Sequence, residues 1–437
     1  MDKRRDSARD GARTAALAAF VGVGTGGVAA AFLKLYEAAT FWPALGRRAA
    51  WGPWTLGPVW LVALPALGGL LCGLIIDHVE PAAAGTGTPE LLHALRAGGT
   101  PVRARYAAWK TVASVFTTCT GGSAGPEAPM VTFGAGLAHW VSRRVGAAEG
   151  SEKTLAAAGA AAGFAAVFDA PAAGVAFAIE VLLRDFSPLP LAAVALAAAV
   201  GAASADALMG PRPWLAGLAA GSWDWRALPL MALVGAAAGL LGKAFIETAL
   251  WTGKLMEKAA PRHAARAALG GLLVGALGLF VPQALGNSHP DLPVLLGAAP
   301  AAWTTLLLLL AGKALACELT VGSGGSGGIF IPYLYLGGIL GALAWIAAAA
   351  APAWAGTAGA SMVAGMSAVF AAITLAPVTA VVLALELTRA WPAAPGVIVA
   401  TAAATLVSRA IDPESLDTRK LLKKGVRLRQ AQARART

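Results

Sequence analysis

Residues 321–338 read VGSGGSGGIFIPYLYLGG, a glycine-rich loop running into an apolar helix with Pro332 in its first turn. A proline there loses no hydrogen bond, because the first N–H groups of a helix have no intrahelical acceptor. The loop leaves the amides of Ile329 and Phe330 at the positive end of a helix dipole, which receives an anion without a full positive charge. Glycines for close helix packing are the other reading of the same letters. The remainder of the chain decides between them.

A second segment, GGSAGPEAPMVTFGAG at 121–136, aligns with the first at a constant offset of 203, with Gly134 matching Gly337. Glu127 then stands where the later copy has Phe330. A carboxylate at membrane depth is expensive and normally lines a cavity, whereas a plain helix-start cap is the bland alternative. Two more pairs keep nearly the same spacing. GTGTPEL at 85–91 matches GNSHPDL at 286–292 at 201, and Ala170-Pro171 with Glu180 matches Ala376-Pro377 with Glu386 at 206. Three matches in one order imply a duplicated unit. Paired Gly/Pro-broken segments in corresponding halves point to a binding site near the membrane midplane. In the GTGTP break, Thr86 carries a hydroxyl able to donate to an anion, although the motif is also an ordinary turn.

Composition places this duplication in lipid. Of 437 residues 57% are hydrophobic and 13% charged, with mean hydropathy +0.67, against roughly 45–50% and about 25% in globular domains. Fourteen apolar segments, centred from Val23 to Thr401, repeatedly approach the length of a span, and 53 Gly and 26 Pro break them often. Such breaks survive in lipid only beside protein or a water-filled cavity. The first apolar run, Thr14 to Leu35, is long enough to be a retained helix rather than a cleaved signal. Residues 1–13 carry five basic and three acidic groups, and the stretch from Arg419 carries eight basic groups and no acid, so the tails hold ten of the eleven net charges. By the positive-inside rule both termini are expected in the cytoplasm, with an even number of crossings of the plasma membrane. Basic charge confined to two tails fits lipid headgroups better than nucleic acid. Three cysteines and five histidines are scattered without ligand spacing, so no metal site, disulfide framework or cofactor is legible. The expected organisation is a basic tail at 1–13, a membrane domain at 14–411 with repeats near 14–210 and 225–411, and a basic tail at 412–437.

Taken together, the motifs resemble the CLC family of chloride channels and proton-coupled chloride transporters. GTGTPE stands where that family has GSGIPE, GPEAP where it has GREGP, and GIFIP matches GxFxP. The resemblance implies an all-α homodimer with one anion pathway per subunit, built from two inverted repeats. It further implies that Thr86, Ile329 and Phe330 bind the central anion, that Gly85, Gly125 and Gly328 line the pore, and that Glu127 is the gating glutamate. Lys110 matches a buried family lysine; a snorkelling interfacial lysine is the alternative.

The departures bear on mechanism. After the glutamate that Glu180 matches, the family's exchangers place a second, proton-accepting glutamate, where this chain has Val181. The pore tyrosine of a SIYTLKL-like pattern falls on Asp417 in SLDTRKL, which must turn away, pair with a base such as Arg419, or be protonated. Pro126 and Ala128 replace the usual Arg and Gly beside the gate. The chain to Thr437 leaves no room for the paired nucleotide-binding modules of some relatives. The sequence therefore favours uncoupled conduction of chloride or a similar small anion, with an exchanger using another internal proton path as the alternative. A membrane-embedded enzyme would show a second polar catalytic group beside Glu127, and none is apparent.

Overall fold

A computed structural model describes residues 2–48, 57–99, 101–147, 150–212, 215, 218, 224–287, 302–348 and 356–428. Among these the chain is helical, with no strand beyond one isolated bridge. The first half comprises α1 (Asp2–Arg48), α2 (Gly57–His78), α3 (Thr88–Arg96), α4 (Ala104–Thr118), α5 (Glu127–Val145), α6 (Ser151–Phe168), α7 (Pro171–Phe177) and α8 (Pro188–Met209). The second comprises α9 (Leu228–Ala259), α10 (His263–Phe280), α11 (Trp303–Gly322), α12 (Phe330–Ala348), α13 (Ala358–Thr374), α14 (Pro377–Thr388) and α15 (Ala394–Ile411), followed by α16 (Leu416–Lys423). Ser288 to Leu292, part of the expected second repeat match, lie outside the described residues.

Among the described residues eight helical segments are long and apolar enough to cross a membrane, and three shorter apolar helices lie between them. Proline falls at the first or second position of α3, α7, α8, α9, α14 and α15. There its fixed φ starts a helix instead of kinking one. Prolines that look disruptive in the sequence therefore mark where broken helices begin.

The duplication is visible as reciprocal contacts. The Ser326 amide donates to Thr117 Oγ1 at 3.1 Å, and the Ser123 amide donates to Thr320 Oγ1 at 2.9 Å. Glu386 accepts the Ala172 and Ala173 amides at 3.0 and 2.7 Å, while Glu180 accepts those of Val378 and Thr379 at 3.0 and 2.8 Å. Each glutamate thus satisfies the orphan donors at a helix start in the other half, α7 or α14. An exchange of this kind requires a two-fold relation between the halves.

Within each half one helix crossing brings backbones into contact. A Cβ on Gly134 of α5 would overlap the Gly159 carbonyl of α6, and one on Gly159 would overlap that of Gly134. Gly337 of α12 and Gly365 of α13 repeat this pairing in the second half. Small residues permit such approach in lipid, where dispersion rather than water exclusion joins helices. Three further contacts orient the ends of the chain. Gly11 of α1 lies against Leu189 of α8, Arg13 donates to the Val145 carbonyl at 2.5 Å, and Lys424 pairs with Glu90 of α3 at 2.7 Å.

Candidate functional site

The two glycine-rich loops meet at the centre. Gly125 and Gly328 exchange backbone hydrogen bonds, each N–H donating to the other's carbonyl at 2.8 Å, in an antiparallel bridge. Immediately after the bridge the chain enters α5 on one side and α12 on the other, so the two helix N-termini face one point. Their partial positive charges add there.

Glu127 is wholly buried at this point, and its Oε1 accepts the Phe330 N–H at 2.8 Å. A side chain on Gly125 or Gly328 would overlap the carboxylate, so the bridged glycines provide the space it occupies. Its Oε2 has no hydrogen-bond partner among the described residues. A carboxylate is thus seated on the amide donors of α12 as an anion would be. The Phe330 ring fixes that amide by packing into an aromatic cluster, with centroids 5.1 Å from Phe370, 5.8 Å from Phe177 and 6.0 Å from Phe164. Ile329 is buried, and its amide makes no hydrogen bond among the described residues.

Thr86 approaches from the α3 loop. Its hydroxyl is buried and makes no hydrogen bond among the described residues, which is costly unless a ligand or water supplies the acceptor. Half-buried Gly85 and buried Thr86 and Ile329 line a cavity of about 570 Å³ whose exposed lining carries Lys254, Lys423 and Lys424 with Glu257. The structure therefore brings Gly85, Thr86, Gly125, Glu127, Gly328, Ile329 and Phe330 together around one centre.

Lys110 is completely buried and donates to the Ala83 carbonyl at 2.9 Å and to that of Gly85. The snorkelling alternative fails because its ammonium is clipped to the loop that presents Thr86. The sequence reading missed its counterpart, Lys313, which lies 203 residues later. That lysine is also fully buried and donates to the Ala284 and Gly286 carbonyls at 3.2 and 2.6 Å. The signal was a lone lysine inside LLLLLAGKALAC at the repeat offset.

Asp417 is half-buried in the first turn of α16, close to the Thr86 hydroxyl and within the fields of Lys420 and Glu90. It does not pair with Arg419, as one expectation had it. That guanidinium is committed to Asp412 and, at 2.5 Å, to Glu247. Val181 is half-buried in a π-helical turn, Ala178–Leu183, that extends α7. It is away from the central cavity and lines a second one. Among the described residues no group of three metal-ligating side chains is present.

A family profile described as voltage gated chloride channel matches residues 68–409. The chain belongs to that family, the CLC proteins. It is 32% identical over 366 residues to an H(+)/Cl(-) exchange transporter, ClcA, of Citrobacter koseri, covering 80% of this chain and 76% of that one. It is 30% identical over 382 residues to a voltage-gated ClC-type chloride channel, ClcB, of Escherichia coli O81, covering 83% and 87%. The crystal structure of a slow cyanobacterial Cl-/H+ antiporter superposes with a TM-score of 0.88 at 23% identity, over 94% of this chain and 98% of the other, which establishes the fold. This CLC protein is thus a multi-pass membrane protein of an anion-transport family rather than an enzyme.

Proposed function

We propose that this CLC protein conducts chloride or a similar small anion, uncoupled from protons, with Glu127 as the gate. The observation that carries the reading is the Glu127 carboxylate resting on the Phe330 amide between two bridged glycines. When ionised it fills the seat of an anion, and when protonated it loses its attraction to the helix dipole and gives way. The 570 Å³ cavity joins an exposed, lysine-bearing lining to Thr86 and Ile329, so an anion reaching the centre meets that hydroxyl and amide donors before the gate. Valine at 181 carries no proton, and the neighbouring Glu180 is engaged by α14. We place both termini in the cytoplasm of a plasma-membrane homodimer, since the basic tails follow the positive-inside rule.

Exchange through another acid is the second reading, favoured by Asp417 beside Thr86. Reconstituted vesicles separate the two when chloride and proton movement are followed together. Uncoupled conduction predicts chloride efflux with no uphill proton movement, whereas a fixed proton-to-chloride ratio overturns it. Bromide anomalous scattering tests the seat independently, and its peak is expected near Thr86 and the Ile329 and Phe330 amides.

A further inference from the structure

The second cavity, of about 710 Å³, lies beside the elements that hold the anion pathway and is lined by Arg96, Arg184, Arg409 and Arg427 with Glu180 and Glu414. The arginines come from four separate places: the last residue of α3, the residue after the π turn, the last turn of α15, and the coil beyond α16. None of the four forms an ion pair among the described residues. Two arginines elsewhere do pair, Arg419 with Asp412 and Glu247 and Arg212 with Asp206. Both oxygens of Glu180 accept from the start of α14 and not from these guanidinium groups. Burial and the like charge of Arg184 lower the pKa of Arg96 to about 10, against a smaller opposing pull from Glu414. Arg96 and Arg184 are thus close enough for their like charges to be felt.

Four convergent arginines outnumber the two glutamates of this cavity, Glu180 and Glu414, and such an excess receives anions, the planar fork of each arginine matching two phosphate oxygens. A single halide cannot bridge four forks spread around a cavity of this volume, whereas a chain of phosphoryl groups can. The volume also falls in the range of small-molecule sites, roughly 300–1,000 Å³. Two of the walls reach the pore. α3 begins at Thr88, two residues after Thr86, and ends at Arg96, while α16 carries Asp417 on one side and Thr418 and Leu422 into the cavity.

We propose that this cavity binds a phosphoryl polyanion, from a soluble polyphosphate or nucleotide or from an anionic lipid headgroup, and that the bound ligand restrains α3 and α16 and so sets the rate of anion passage. The restraint rests on the pathway reading above, but the binding does not.

The test uses the full-length protein in uncharged detergent, titrated with tripolyphosphate at fixed ionic strength and followed by calorimetry. The variant pair Arg184→Gln with Arg409→Gln removes two exposed forks, and Arg143→Gln with Arg144→Gln removes two arginines at the end of α5, outside the cavity. Wild type and the α5 pair are expected to bind alike, and the cavity pair at least about tenfold more weakly. If the cavity pair does not give a monodisperse protein, Arg427→Gln in the coil after α16 repeats the comparison, with a loss of about threefold or more. Chloride efflux is then compared between phosphatidylcholine vesicles with and without phosphatidylglycerol. A lipid dependence present in wild type and absent in the cavity pair, with no tripolyphosphate binding, assigns the ligand to the headgroup. Equal weakening in both pairs, or no response to either source, overturns the site. Binding without any change in efflux overturns the restraint. A protein that binds tripolyphosphate and moves no chloride keeps the site and refutes the pathway reading.

Discussion

The loop 121–129 and the loop 324–332 perform the same structural task with the same backbone, and they differ at the residue on which the proposed gate rests. Their glycines bridge symmetrically, their serines reach symmetrically to threonines, and the lysines before them clip symmetrical carbonyls. At the one position that faces the centre, the first copy has Glu127 and the second has Phe330. Symmetry builds the frame, and of the four unlike pairs in the two loops it is Glu127 with Phe330 that supplies an acid on one side and an anchored amide on the other. A symmetric pair of glutamates would put two carboxylates at one point, where like charge forbids both from ionising.

This comparison breaks first at the glycine crossings. Gly134→Ala and Gly337→Ala each force a methyl into a backbone carbonyl with no room to yield. Both are expected to lower stability by about 2 kcal/mol or more and to shift thermal unfolding, monitored by size exclusion, by similar amounts. A large effect in one half only would mean that the two frames are not equivalent.

The next effect is functional and one-sided. Glu127→Gln keeps the shape but removes the charge, so chloride flux at neutral pH is expected to rise several-fold and to lose most of its dependence on external pH. The sign follows from protonation, since lower pH neutralises the wild-type carboxylate and releases it from the Phe330 amide. Phe330→Leu keeps the amide and should retain the pH response. Vesicle flux across a pH series measures both, and an unchanged profile in the Gln variant would falsify the gate.

A smaller, symmetric effect is expected at the exchanged caps. Glu180→Gln and Glu386→Gln each weaken charge-assisted bonds to a helix start, for about 1–2 kcal/mol of stability, read as matching losses in thermal midpoint. The smallest effect concerns Asp417→Asn. Removing one half-buried negative charge near Thr86 should raise chloride flux by about twofold or less, because Lys420 already offsets part of its field. Flux identical to wild type across pH would place the residue off the pathway.

What was legible in the sequence is what close packing writes into letters. Gly125, Gly134, Gly328 and Gly337 leave a trace because no other residue fits, and Glu127 stands out because an acid in an apolar run needs a reason. The partners of polar atoms left a weaker trace. Thr117 and Thr320 look like ordinary helix residues until the loops fold back on them, and Lys313 is visible only after the offset is known. The engagement of Arg419 with Asp412 and Glu247 depends on how α16 docks, which no local pattern encodes. The four-arginine cavity was illegible for the same reason, since it gathers side chains from positions 96 to 427.

The Gly125–Gly328 bridge also imposes a schedule on biosynthesis. Glu127 enters the bilayer with the first half, but its amide partner is 203 residues away in the chain. At about 5–20 residues per second the ribosome needs roughly 10–40 s to supply it. Throughout that interval the Phe330 amide that receives the Glu127 carboxylate in the finished fold does not yet exist, so the bridge and the seat close only after most of the second half has been made.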